Sequence, residues 1–410
     1  MRPATNCVPS SAGEPPRWWP ASPPDLPGGP MEKIHQLDGL RGWMSLWVWF
    51  AHGLTLASLD LHKDAGIGRL LANGGTPVAV FILLSGFVCA LMLTRDDSTG
   101  YRGWLTRRFF RLFPVYLLAL ALSVMALDLS ISALTDNPWP SPRTEDRIDY
   151  LLASRENFWP HLLLHVGLLH GLVPESMLPY TSLAFMGQAW SLSLEWQFYL
   201  VVPFLIGWIT RPRSLVVVPA VTVAALLLLA RLTPQDSFLG SHLYLFAIGA
   251  YTLARMKAWR AGQFSTREWV VAMAIDTVLV LGLAGGTKGL GMLIWAATVF
   301  AMLNVGGDHA AWRAVNGFLN HRVSQFLARV SYSVYCLHMV VLLSFSWLLI
   351  HVVGFEARWQ YATALIVTAL PATLLVAWAV TSRLEEPMIA LGRRLASGTR
   401  TVRPVVAATR

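Results

Sequence analysis

Long apolar runs separated by short polar interruptions fill most of this chain, and their length and uniform hydrophobicity read as membrane-crossing helices. They fall at about 41–58, 75–94, 111–129, 189–209, 214–231, 240–255, 269–286, 289–304, 331–351 and 361–382. Ten spans is an even number, so both termini belong on one side of the membrane. With that side cytoplasmic, 24 of the 32 Lys and Arg residues fall in cytoplasmic segments and flanks and 8 in external ones, the bias of positive-inside topology. The expected fold is an all-α polytopic integral membrane protein with about ten transmembrane helices and both termini cytoplasmic. The pair at 269–304, interrupted by Gly285, Gly286, Lys288 and Gly289, has the least defined boundary.

Composition agrees with that reading. The 410 residues are 55% hydrophobic and 13% charged, with a mean hydropathy of +0.50, whereas soluble domains are roughly 25% charged. The net charge of +9 is spread between apolar runs, so topology accounts for it; the expected partner is the lipid bilayer and not nucleic acid. Cys7, Cys89 and Cys336 are odd in number and scattered, which implies neither a disulfide framework nor a zinc site.

Two hydrophilic tracts differ in kind. Residues 1–33 form a proline-rich N-terminal tail, with nine prolines in 1–30 and no signal-peptide core; they read as disordered. This segment is either a cytoplasmic tail without catalytic role or an upstream start, with Met31 opening the translated protein. Residues 395–410 read as a basic cytoplasmic tail. The external tract at 130–188 holds Asp136, Arg143 and Arg147, and its HLLLHVGLLHGL segment repeats His161, His165 and His170 at helical spacing. Two of these share a face and suit a metal, but an amphipathic helix on the outer membrane surface explains them better, so no metal is expected.

Candidate chemistry concentrates at a few polar residues inside or beside the apolar runs. Arg41 and His52 stand eleven residues apart in the first run, three helical turns, so both point the same way, roughly 16 Å apart along the axis. An arginine at the membrane edge and a histidine near mid-depth suit an anion site with a proton acceptor beyond it; the alternative is an interfacial anchor and a packed histidine. Arg107, Arg108 and Arg111 lie between spans two and three, with Arg108 and Arg111 on one helix face as a two-pronged anion clamp. Topology alone supplies some of these arginines. Glu195 is a carboxylate about two turns into a span, costly unless paired or protonated, and hence a functional candidate. Trp190, Ser191 and Tyr199 beside it, with Gln188 and Ser193, suit a polar substrate. His338 repeats the pattern of a histidine two turns into a span, where a packed, satisfied histidine is the common case.

QLDGLRGWMSLWVWFAH, VFILLSGFV, RRFFRLFPVYLLAL, QAWSLSLEWQFYLVVPF, RVSYSVYCLHMVV and SRLEEPMIALGRRL resemble, in order and spacing, the successive signatures of the membrane-bound acyltransferase 3 family. The likeness runs over about 36–394, so that 34–394 is expected to be one acyltransferase domain. The resemblance implies a ten-helix bundle in the bacterial inner membrane that takes an acyl group, acetyl being the commonest, from cytoplasmic acyl-CoA to a hydroxyl of a carbohydrate or glycolipid acceptor. It gives Arg41 and His52 as the family's arginine and histidine pair in the first span, and Arg108 and Arg111 as the arginines that engage the donor. One departure is Trp196 after Glu195, where many relatives carry a second acid. No hydrolase-like domain is expected after the bundle.

On these positions His52 is the expected general base, with Glu195 fixing its tautomer or binding the acceptor. Arg108, Arg111, Arg107 and Arg41 are expected at the coenzyme A phosphates, and Trp190, Ser191, Tyr199 and His338 at the acceptor. No bound cofactor is expected; acyl-CoA acts as co-substrate. Ser85, in LLSGF, reads as a small residue for close helix packing. Acylation of a glycosylated secondary metabolite remains an alternative, as do a polytopic glycosyltransferase, for which Asp60 and Asp64 supply external acids, and a transporter, for which His and Glu supply a relay.

Overall fold

The computed structural model describes residues 34–57, 59, 67–95, 100–210, 214–233, 235–304 and 309–397. The proline-rich tail, all but the start of the basic tail, and Asp60 and Asp64 lie outside the described residues. The elements are α1 (His35–Leu56), α2 (Ile67–Leu71), α3 (Gly75–Arg95), α4 (Gly100–Met125), α5 (Leu127–Thr135), α6 (Pro142–Glu156), α7 (Phe158–Val166) and α8 (Trp190–Thr210). They continue with α9 (Val217–Leu232), α10 (Leu243–Arg260), α11 (Thr266–Ala284), α12 (Gly286–Leu303), α13 (Ala310–Asn320), α14 (Arg322–Leu348), α15 (Arg358–Val380) and α16 (Glu386–Ser397). Every apolar run is thus helical, and there is no strand among the described residues.

Six of these helices are long and apolar enough to cross a membrane: α3, α4, α8, α12, α14 with its extension to Val353, and α15 with its extension to Ser397. The four other expected spans are helices of a more polar or shorter kind. α9 has 16 residues, α10 ends in Arg255, Lys257 and Arg260, α11 carries Arg267, Glu268 and Asp276, and α1 carries Asp38, Arg41 and His52. Arg255 and Asp276, fully buried, pair with each other between α10 and α11. Val221, Leu228, Val278, Leu293, Val367 and Leu375 all lie on the outside of the bundle, an apolar surface that suits lipid and not water.

Local chemistry sets the breaks. Ser265 caps α11 through a reciprocal box with Glu268. Gly285, at φ +87°, takes the left-handed turn that ends α11 and starts α12, where a Cβ would be strained. Two helix pairs approach closely enough to exclude side chains. α3 crosses α10 where a Cβ on Gly86 would meet the Phe246 carbonyl, 2.8 Å from its carbon, and one on Gly249 would lie 2.9 Å from the Phe87 nitrogen. α1 runs parallel to α14, where a Cβ on Gly42 would lie 2.8 Å from the Leu327 carbonyl carbon, and it meets the end of α13, where a Cβ on Gly39 would lie 2.9 Å from the Leu319 carbonyl carbon. The glycines of LDGLRG and LLSGF therefore serve backbone contact between helices.

Candidate active site

The α1–α14 contact brings together two histidines 286 residues apart. His52 Nδ1 lies 2.7 Å from His338 Nε2, with the rings nearly parallel. His338 is fully buried, and its Nδ1 faces the carbonyl oxygens of Tyr335 at 2.8 Å and Val334 at 3.2 Å. Carbonyls only accept, so Nδ1 of His338 carries the proton and Nε2 is its acceptor. His52 must then donate from Nδ1, which leaves Nε2 as the proton-accepting nitrogen of His52. Two neutral imidazoles in series thus define one tautomer.

Glu195 does not play the part expected of it at His52. Its carboxylate takes hydrogen bonds from the hydroxyl of Tyr199 and from Ser85 Oγ at 3.3 Å, in a cavity of about 160 Å³ that His52 does not line. The residue that fixes the tautomer of His52 is His338, because α14 and not α8 lies against that part of α1. Ser85 likewise points into this cavity, and the close helix crossing assigned to it is made by Gly86.

The same cavity gathers Arg41, Arg108 and Arg111. Pro114 sits inside α4 without ending it, and the helix presents Arg108 and Arg111 on one face, as their spacing requires. Arg108 is buried, its guanidinium 4.3 Å from the Trp104 ring centre and 5.0 Å from that of Tyr199, a cation–π sandwich. Arg111 pairs with Glu385, whose second oxygen accepts from Ser333 Oγ at 2.8 Å, so part of its charge is already met. Arg41 reaches Asp38 at 3.3 Å. Arg107 is not among the residues lining the cavity; it stands on another face of α4, about 100° from Arg108. Ser191 and Tyr199, expected at the acceptor, line this cavity with the arginines.

A second cavity, of about 390 Å³, is lined by His52 with Trp190, Gln188, Asn73 and Arg143. Arg41 marks one end of α1 and His52 the other, so the two cavities lie toward opposite ends of that helix. His338 stands behind His52 and is not among the residues lining either cavity, which differs from its expected contact with the acceptor. Both of its ring nitrogens are engaged.

The histidines of the 130–188 tract are placed differently from expectation. His161, His165 and His170 are all fully buried, while Trp159, Leu163 and Leu172 are exposed, so the apolar face of α7 looks outward and its histidine face inward. The rings of His165 and His170 stack with centres 4.0 Å apart. Burial lowers the affinity of His165 for a proton and pushes that of His170 down to about 4. No three His, Cys, Asp or Glu side chains among the described residues are grouped to hold a metal.

Sequence reasoning missed two residues. Glu385 lies in the SRLEEP motif, where it passes for a charge at a membrane edge. It is turned inward by a π-helical turn at Thr381–Glu385, a feature common at functional sites that leaves no mark in hydrophobic periodicity. Tyr335 lies one turn before His338 and lines both cavities; its position in RVSYSVYCLHMVV was the available signal.

A family model described as an acyltransferase domain matches residues 34–381. Acyltransferase MdmB from Streptomyces mycarofaciens is 28% identical over 175 residues, 42% of this chain and 38% of that protein. Protein 2 in picA locus from Rhizobium radiobacter is 35% identical over 96 residues, 23% of this chain and 45% of that protein. The chain therefore spans less than half the length of either curated relative it matches. No solved structure matches it.

Proposed function

The chain belongs to the acyltransferase 3 family, and from that premise we propose that it moves an acyl group, acetyl first among candidates, from acyl-CoA to a hydroxyl of a carbohydrate, glycolipid or glycoside. The observation that carries this reading is the His338–His52 pair at 2.7 Å, which reserves Nε2 of His52 for accepting a proton. That nitrogen takes the proton of the acceptor hydroxyl as its oxygen attacks the thioester carbonyl. The carbon–sulfur bond then breaks, the coenzyme A thiolate recovers the proton from His52, and the ester leaves. His338 positions His52 and touches no substrate.

Arg108, Arg111 and Arg41 suit the phosphates of the donor, held at the mouth of the smaller cavity. From there the arm that carries the thioester reaches into this cavity, whose volume is about 160 Å³. Glu195 and Ser85 offer an acceptor and a donor for its amides. Trp190, Gln188 and Arg143 surround the acceptor in the cavity of His52. This reading keeps ten spans, both termini cytoplasmic, and a bacterial inner membrane location; its support is the charge bias of the sequence.

The test is transfer of label from acetyl-CoA into envelope material by membranes carrying the wild-type protein or His52→Ala. Label found only with the wild type supports the assignment. Equal label with His52→Ala in folded protein removes His52 as the base.

A further inference from the structure

The two cavities have two lining residues in common, Val78 and Tyr335. The Tyr335 ring is nearly buried and fixed from three sides. Phe81 of α3 meets it edge-on, with centres 5.8 Å apart, and the ring of His338 tilts against it at 5.9 Å. Its hydroxyl donates to the Gln188 carbonyl at 3.1 Å and shares a 2.6 Å hydrogen bond with Ser191 Oγ at the start of α8. The backbone carbonyl of Tyr335 also receives the Nδ1 proton of His338. With Val78, Tyr335 thus walls the arginine cavity from the histidine cavity, and it also supports the histidine pair.

Resting on the acyl-transfer reading, we infer that Tyr335 is the partition past which the acyl group moves from the donor cavity to His52, and that its ring sets the largest acyl group that passes. A short acyl group slides beside a ring held by its hydroxyl. A longer one must displace the ring, and so break the bonds to Gln188 and Ser191. A pocket that discriminates by chain length does so by steps of roughly 10-fold or more per methylene.

Accessibility tests the partition without turnover. With Cys7, Cys89 and Cys336 replaced by Ala, single cysteines are introduced as Ser85→Cys in the donor cavity and Asn73→Cys in the other. An impermeant charged thiosulfonate is applied to right-side-out and inverted vesicles. Ser85→Cys is expected to react in one orientation and Asn73→Cys in the opposite one, with Tyr335→Ala making Ser85→Cys reactive in both. Tyr335→Phe, which keeps the ring, keeps the one-sided pattern, and Tyr335→Val replaces the alanine variant if that one does not fold. Two cysteines reacting from the same side, or a one-sided Ser85→Cys after the ring is removed, overturns the partition.

The size limit is read with labelled acetyl-, butyryl- and hexanoyl-CoA. Tyr335→Ala should raise the ratio of hexanoyl to acetyl transfer by about tenfold or more; an unchanged ratio in folded protein overturns the selector. Wild-type membranes that transfer no label through His52 from any donor overturn the acyl-transfer reading instead, while the thiol experiment still decides the partition.

Discussion

Replacing His338 with Phe keeps a flat ring in the interior of the bundle and removes the hydrogen bonds of both ring nitrogens, to His52 and to the Tyr335 carbonyl. The one that bears on His52 is the 2.7 Å contact in which His338 Nε2 accepts from His52 Nδ1; the Tyr335 carbonyl that loses the Nδ1 proton sits within a helix. Without the contact to His52 the Nδ1–H of His52 faces a ring edge, and the unmet donor costs about 1–3 kcal/mol. His52 then escapes that cost by turning its ring or by moving the proton to Nε2, and both remove the base from the acceptor hydroxyl. At roughly 1.4 kcal/mol per decade, kcat should fall about 5- to 150-fold. The KM for acyl-CoA should hold, because the arginines line the other cavity. His338→Gln, whose side-chain oxygen falls near the place of Nε2, should recover most of the loss. The assay is transfer from labelled acetyl-CoA by purified protein in nanodiscs, with size-exclusion profiles to confirm folding. A wild-type kcat in His338→Phe, or a defect confined to KM, would refute the chain of argument from tautomer to base.

Other outcomes follow from the packing and from the buried charges. Gly86→Ala drives a methyl group against the Phe246 carbonyl and should destabilise the bundle by about 1–3 kcal/mol; an unchanged melting temperature in detergent would show that α3 and α10 are free to separate. Glu385→Gln strips Arg111 of its partner in a nearly closed site and should cost about 3 kcal/mol, seen as a lower denaturation midpoint, with Arg111→Gln in the same protein restoring part of it. The buried His165 and His170 resist protonation, His170 down to about 4, whereas in the unfolded chain histidine titrates near roughly 6.5. Between these values the unfolded state binds protons that the folded state refuses. Stability should therefore fall as pH drops from 6.5 toward 4, by up to about 1.4 kcal/mol per unit for each histidine. Melting curves at pH 7 and pH 5 measure this, and His170→Gln should narrow the gap.

The long apolar runs located each helix of sixteen or more residues, because a chain in lipid satisfies its backbone within helices or closed barrels, while the polar α6 went unread. Helical spacing alone also placed Arg108 and Arg111 on one face, and it put Arg41 and His52 on one face of α1, where the two in fact line separate cavities. What stayed hidden was which helices touch. His52 read as a proton acceptor paired with Arg41 and His338 as a packed histidine two turns into its span, and nothing local says that α1 and α14 are neighbours. Glu195 is on the right helix with the wrong companion for the same reason. The inward histidine face of α7 escaped notice because amphipathic spacing shows which residues share a face, and not whether water, lipid or protein lies against it.

The glycine seam between α1 and α14 reaches beyond packing. At Gly42 the two helices meet through main-chain atoms, and both imidazoles hang from that single joined unit. Residues that shape what enters, such as Trp190, Asn73 and Arg143, come from other parts of the chain. Substitutions at those wall positions therefore reshape the cavity beside His52 while leaving the spacing of the two rings to the joined helices.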